Sequence, residues 1–260
     1  MNAAEGRPIA DGVGQGVGLV RAALDWWALA GVDVPVAATP RSWLGPAPRA
    51  PDHAPVPRRP APRRVAAAPS GPDEAEFGRF RTLVELHAHV RANWPGAPLF
   101  DGVAESGILV VGEAPSATDL ETGRPFTGPA GALLDRMLAA IGLDRGGCGI
   151  TLVAPRRPLP GPPRPEEIAA DLPLTRAHLR LLSPRAVLLL GGTAAQVLAG
   201  ATAPVSQLRG RLLEVDAGGR PVPAFATFNP AYLLRRPEDK ALAWADLLAF
   251  RTLLAGGLPA

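Results

Sequence analysis

From about residue 73 onward the chain alternates between short, unbroken apolar runs and longer stretches in which apolar positions recur every three or four residues. The runs at 108–111, 150–153, 186–190 and 222–228 have the length and the branched content of strands buried on both faces. Helical spacing occupies 130–141, 166–182 and 193–199, with further helices expected at 73–93 and 238–254. Asp73, Glu74 and Glu76 place negative charge where a helix N-terminus favours it. Continuous apolar strands separated by helix-length segments predict an α/β fold. The expected form is a three-layer α/β/α sandwich around a central four-stranded parallel sheet, within a domain at 73–260.

The pattern differs upstream. At 19–30 (LVRAALDWWALA) apolar residues fall on one helical face, with Gly31 as a stop, and this predicts a short amphipathic helix within an N-terminal region at 1–45. Its paired Trp26 and Trp27 suit either docking on the chain's own domain or anchoring a protein partner. At 46–72 the composition shifts to proline, alanine and arginine, too poor in apolar surface to offset chain entropy, so a disordered or polyproline-like linker is expected.

Composition narrows the classes. Hydrophobic residues make up 47% of the 260, enough for a real core, and the formal net charge is +3. All but one of the 27 basic residues are arginine, Lys240 being the exception. Arginine binds phosphate bidentately, which allows a polyanion partner, although GC-rich coding produces the same bias. A single cysteine, Cys148, excludes an intrachain disulfide or an all-cysteine metal site built by this chain alone, and a reduced, cytoplasmic setting is expected. No run approaches the ~18 apolar residues of a membrane span, and no secretory signal pattern opens the chain. His53, His87, His89 and His178 match no metal-ligand or catalytic spacing, and are expected to be surface or internally satisfied side chains.

Loops at the carboxyl ends of parallel strands form the binding crevice of open α/β sheets. The first of them, GEAPSATDLETGRPFTGPAG at 112–131, combines the tight Gly112-to-Pro115 turn with a carboxylate, Glu113, and an aromatic, Phe126. The second, TLVAPRRPLPGPP at 151–163, carries Arg156 and Arg157 among prolines. The third is the Gly191-Gly192-Thr193 turn, where Thr193 is a natural N-cap and nearby amides suit a phosphate. The fourth is FNPAYLLRRP at 228–237.

The first loop, taken with SQLRGR at 206–211 and NPAYLLR at 229–235, resembles the uracil-DNA glycosylase superfamily, and within it the iron–sulfur class known as family 4. The resemblance runs in order from about residue 108 to 254. It implies a base flipped out of duplex DNA and hydrolysis of its glycosidic bond through an oxocarbenium-like transition state. Phe126 then matches the ring on which the base stacks, with Gly112 and Pro115 lining the approach, and Glu113 matches the carboxylate that arranges water and stabilises charge on the sugar. Leu233, Leu234 and Arg235 match the loop inserted into the minor groove, and Arg209 a turn contacting the DNA backbone. Phe126 and the two leucines equally suit core positions.

Three features depart from the family pattern. Leu152 stands where an asparagine reads the edge of uracil, and an alkyl side chain makes no hydrogen bond. Asn229 stands where a histidine donates to the departing base, and its amide donates without carrying charge. Arg156 and Asp171 stand at two of the four cysteine positions of the family's cluster, and no cysteine lies between Arg91 and Asp101. The resemblance therefore implies a DNA N-glycosylase of base excision repair with weakened or altered base specificity, no metal and no cofactor, or a degenerate relative that scans DNA or recruits a partner. Without the cluster, the loop is expected to be held by packing, by prolines or by an Arg156–Asp171 ion pair.

Overall fold

A computed structural model of the chain describes residues 76–156 and 163–256; the expected helix at 19–30, the linker at 46–72 and Arg157 lie outside the described residues. Along the chain run α1 (Leu83–Asn93), β1 (Asp101–Gly102), β2 (Ile108–Gly112), α2 (Ala117–Thr122), α3 (Gly128–Ala139), β3 (Gly149–Leu152) and α4 (Pro165–Leu182). There follow β4 (Ala186–Leu190), α5 (Gly192–Leu198), α6 (Val205–Leu208), β5 (Leu212–Asp216), β6 (Pro221–Thr227), α7 (Pro230–Arg235) and α8 (Lys240–Leu254).

The α/β expectation holds, and the four apolar runs pair in parallel as the centre of the sheet. The sheet nevertheless has six strands rather than four, in the order β1-β3-β2-β4-β6-β5. Both additions are antiparallel edge strands. β1 has two residues, too few for any periodicity, and β5 (LLEVD) is only half-buried, so neither shows the continuous apolar run of a strand covered on both faces.

The period-two alternation of each central strand divides the core. Val110, Ile150, Leu188 and Phe225 face one cluster with Leu134 and Met137 of α3 and Leu247 and Phe250 of α8. Leu109, Val111, Val187 and Leu189 face another with Leu179 of α4 and Ala194 and Ala195 of α5. Helices thus cover both faces, as a parallel sheet requires. A third, smaller core joins Phe77, Leu86 and Val90 to Leu174 and Ala177 of α4.

The helix expected at 73–93 is broken before Leu83. Thr82 caps α1, its hydroxyl accepting from the Glu85 amide at 3.2 Å while the Glu85 carboxylate accepts from the Thr82 amide at 3.3 Å. α8 starts at Lys240, after a short 3-10 turn at Pro237–Asp239. No helix among the described residues is long and apolar enough to cross a membrane.

Candidate functional site

The chain leaves β2 toward β3 on one side and leaves β4 toward β6 on the other, so neighbouring β2 and β4 diverge at their carboxyl ends. This is the switch point at which open α/β sheets bind ligands. Glu113 sits there, directly after β2, and its Oε1 accepts from the Thr193 amide at the start of α5 at 3.0 Å. Thr193 is therefore not the N-cap; Gly191 is, with no side-chain cap bond, and the amide expected to suit a phosphate is taken by Glu113. Gly191 has φ 104°, and a Cβ there would lie 2.5 Å from Glu113 Oε1, so only glycine lets the carboxylate approach. The Glu113 carbonyl accepts from Ala154 N at 2.9 Å, just past β3. Strand exit and helix start thus hold the residue from opposite sides.

Phe126 lies against the same strand. Its backbone is left-handed at φ 55°, unusual for a bulky residue. A Cβ on Gly112 would sit 2.4 Å from the Phe126 ring and 2.9 Å from Leu152 Cδ2, so the bare Gly112 backbone is the surface on which both apolar groups rest. Leu152 is fully buried, Phe126 is 6% exposed, and Pro115 is buried.

Polar groups that sequence reasoning missed hold this loop. Asp119 Oδ1 accepts from the Thr127 amide and hydroxyl at 2.6 and 2.8 Å, and its Oδ2 accepts from Ser116 N at 2.8 Å. The Ser116-to-Asp119 spacing of a capping box was the readable signal. Arg145 donates to the Phe126 carbonyl and to Asp101, which also accepts from Nε and Nη2 of Arg124. Burial opposes ionisation of Asp101, yet hydrogen bonds from Arg145 and Arg124 outweigh it and hold the carboxyl below its usual range. No local pattern links positions 101, 124 and 145.

Asn229 caps α7, Oδ1 accepting from Ala231 N at 2.9 Å, while Nδ2 donates to the Leu190 carbonyl at 3.4 Å. One amide proton is left for other partners. The loop expected at 228–237 contains a helix, α7, and its residues divide by face. Leu233 is fully buried in the core and has no surface to offer a groove, because its position on α7 points it at α3 and the sheet. Leu234 is 41% exposed and Arg235 is exposed. Arg209 also departs from expectation: its guanidinium turns inward, donating to Asp246 at 2.8 and 3.0 Å and to the Leu242 carbonyl. Burial pushes Asp246 up to about 6, against the pull of Thr227 and Arg209, which leaves it ionised at neutral pH.

Arg156 and Asp171 form the expected ion pair. Asp171 accepts from Arg156 Nε at 2.5 Å and from its amide at 2.8 Å, and the guanidinium lies 4.2 Å from the Trp94 ring centroid. An arginine and an aspartate do not supply thiolates, and the one cysteine is buried with its thiol pushed up to about 12, chiefly by burial. The donor set does not fit a cluster held on four cysteines.

Comparison with known proteins agrees with this geometry. The sequence profile of the "Uracil DNA glycosylase superfamily" matches residues 100–248. A "Type-4 uracil-DNA glycosylase" of Pyrobaculum aerophilum is 34% identical over 178 residues, which is 66% of this chain and 87% of that protein. Another "Type-4 uracil-DNA glycosylase", from Archaeoglobus fulgidus, is 35% identical over 53% of this chain and 71% of its own length. A "DNA polymerase" of Bacillus phage SP01 is 27% identical over 61% of this chain, in a match covering 17% of the polymerase.

Proposed function

The chain belongs to the uracil DNA glycosylase superfamily, and we propose that it is a DNA N-glycosylase with base specificity altered from uracil. The observation that carries this reading is the pinned Glu113 carboxylate at the switch point, next to an aromatic ring laid on Gly112. A flipped base stacks on Phe126, with Gly112 and Pro115 at the approach, and Glu113 orients a water toward C1′ of the sugar while offsetting positive charge there. The C1′–N bond breaks with its electron pair leaving on the base. Water oxygen bonds to C1′, and its proton passes to the carboxylate. Leu234 and Arg235 face the duplex from α7, and the buried Leu233 supports them from beneath.

Altered specificity rests on Leu152 and Asn229. Leu152 places an alkyl wall where a polar base edge would need partners, and a mispaired buried polar group costs about 1–3 kcal/mol. Asn229 is uncharged, and with Oδ1 at Ala231 and one amide proton at Leu190 it has a single proton left to donate to a base. The same two residues also favour a second reading, a relative that binds and scans DNA without cleavage.

Single-turnover assays on duplexes containing uracil, hypoxanthine or xanthine separate the two. Excision of at least one base, abolished by Glu113→Ala, is expected. No excision alongside salt-sensitive DNA binding means a scanner, and absence of DNA binding sinks both readings. The double variant Leu152→Asn, Asn229→His is expected to raise uracil excision about a hundredfold, since one donor to a developing anion is worth roughly 3 kcal/mol.

A further inference from the structure

The groups that hold Glu113 lead back to a buried ion pair on the other side of β3. Three residues just beyond that strand are tied in different directions. Val153 N donates to the Gly112 carbonyl and Ala154 N to the Glu113 carbonyl, both at 2.9 Å. The Val153 carbonyl accepts from the Thr175 hydroxyl of α4 at 3.0 Å. Arg156 is gripped by Asp171, one turn earlier on the same helix, through its amide and its guanidinium, and donates to the Ala170 carbonyl at 2.6 Å. Trp94 and Phe77 lie under the guanidinium at 4.2 and 5.5 Å. Thr175 and Asp171 are 0% and 3% exposed, so the Thr175 bond is made away from water and the Asp171 end of the ion pair is buried, where losing a partner is costly, while the Arg156 bond to Ala170 lies at the surface.

From this we infer that Arg156, Asp171 and Thr175 are positioning residues for Glu113, an inference that rests on the glycosylase reading above. Loops at strand ends are ordinarily mobile. Here one turn of α4 clamps residues 153 and 156, and the clamped segment holds the main chain of Glu113. The Thr193 amide holds its carboxylate from the opposite side. With both ends restrained, the carboxylate has little freedom to leave the place where water must be oriented. Displacement by about 1 Å costs roughly a hundredfold in rate. The clamp suits arginine in particular: its Nε pairs with Asp171 while another guanidinium nitrogen reaches the Ala170 carbonyl and the flat group stacks on Trp94, and a lysine's single ammonium cannot make all three contacts at once.

The test uses the full chain and the base that the wild type excises fastest. Single-turnover rate at saturating enzyme, the Kd for the same duplex and the melting temperature are measured for Arg156→Lys, Thr175→Val and Thr175→Ser. Arg156→Lys and Thr175→Val are expected to slow excision about ten- to a hundredfold, with Kd within about twofold and the protein folded at the assay temperature. Thr175→Ser keeps the hydroxyl and is expected to retain most of the rate. Amide hydrogen exchange at Ala154 is expected to quicken in Thr175→Val and to stay slow in Thr175→Ser. Wild-type excision that neither Arg156→Lys nor Thr175→Val changes, equal rates for Thr175→Val and Thr175→Ser, or a loss confined to Kd, overturns the inference and leaves the glycosylase reading standing. A wild type that excises none of the bases removes that reading and the positioning role together.

Discussion

At Gly131 a Cβ would lie 1.8 Å from the Phe126 carbonyl oxygen, which is a backbone atom and cannot swing aside. Gly131→Ala must therefore push the Phe126 loop outward. Overpacking of this kind costs about 1–3 kcal/mol, and a lowered melting temperature together with slower base excision is the expected result. Arg209 makes a different prediction. Removing it strands the buried Asp246 and is expected to cost about 3–5 kcal/mol at neutral pH. Because the Asp246 carboxyl lies at about 6 even with its partner in place, it takes up a proton in acid. The Arg209→Ala loss measured by denaturant melts should then be smaller at pH 5 than at pH 8, and equal losses would show that charge is not the cause. At this scale the proposed site residues Glu113, Phe126, Leu152 and Asn229 stand in stretches that can be read as a string. Arg145 and Asp101 were not legible in this way, because they meet across 44 positions of chain.

Elements explain why a correct motif can carry a wrong residue. NPAYLLR reads as a turn followed by leucines that suit either a groove or the core, and it folds as α7, capped by Asn229 and with Pro230 at its first position. In a helix neighbouring positions point about 100° apart, so Leu233 and Leu234 cannot share a face. Leu233→Ala is expected to destabilise the fold by about 2–5 kcal/mol without a specific effect on DNA. Leu234→Ala and Arg235→Ala are expected to leave the melting temperature nearly unchanged and to weaken duplex binding, with a shallower salt dependence for Arg235→Ala alone. An unchanged Kd for both variants would remove α7 from the DNA surface. Thr82→Ala, at the cap of α1, tests the break in the first helix and is expected to cost about 1 kcal/mol in a thermal melt. The missed β5 belongs to this scale as well, since an edge strand with one solvated side lacks the apolar run that marked its neighbours.

For the whole molecule, pH acts through a pair that joins the small third core to the sheet domain. His87 Nε2 and His178 Nε2 lie 2.8 Å apart, so one donates to the other and both rings are neutral. Burial lowers His87 to about 4, helped by Arg91, and lowers His178 to about 3, helped by His87. The unfolded chain takes up protons near the ordinary value of 6.5, well before the folded one does. Stability from this pair is thus complete above about pH 6.5 and declines as pH falls toward 4. Melting temperatures across that window should fall, and more gently in a variant carrying leucine at both positions. Hydrophobic periodicity was sufficient for α3, α4, α5 and α8 and for the four central strands, because the spacing of apolar residues is a local property that burial on both faces imposes on any parallel sheet; the break before α1 and the short α2, α6 and α7 were not read from it. It was not sufficient for strand order, for the paired histidines, or for the clamp of α4 on Arg156 and through it on Glu113. Those contacts join segments far apart in the chain, and they exist only once the crossover helices have chosen which side of β2 each strand takes.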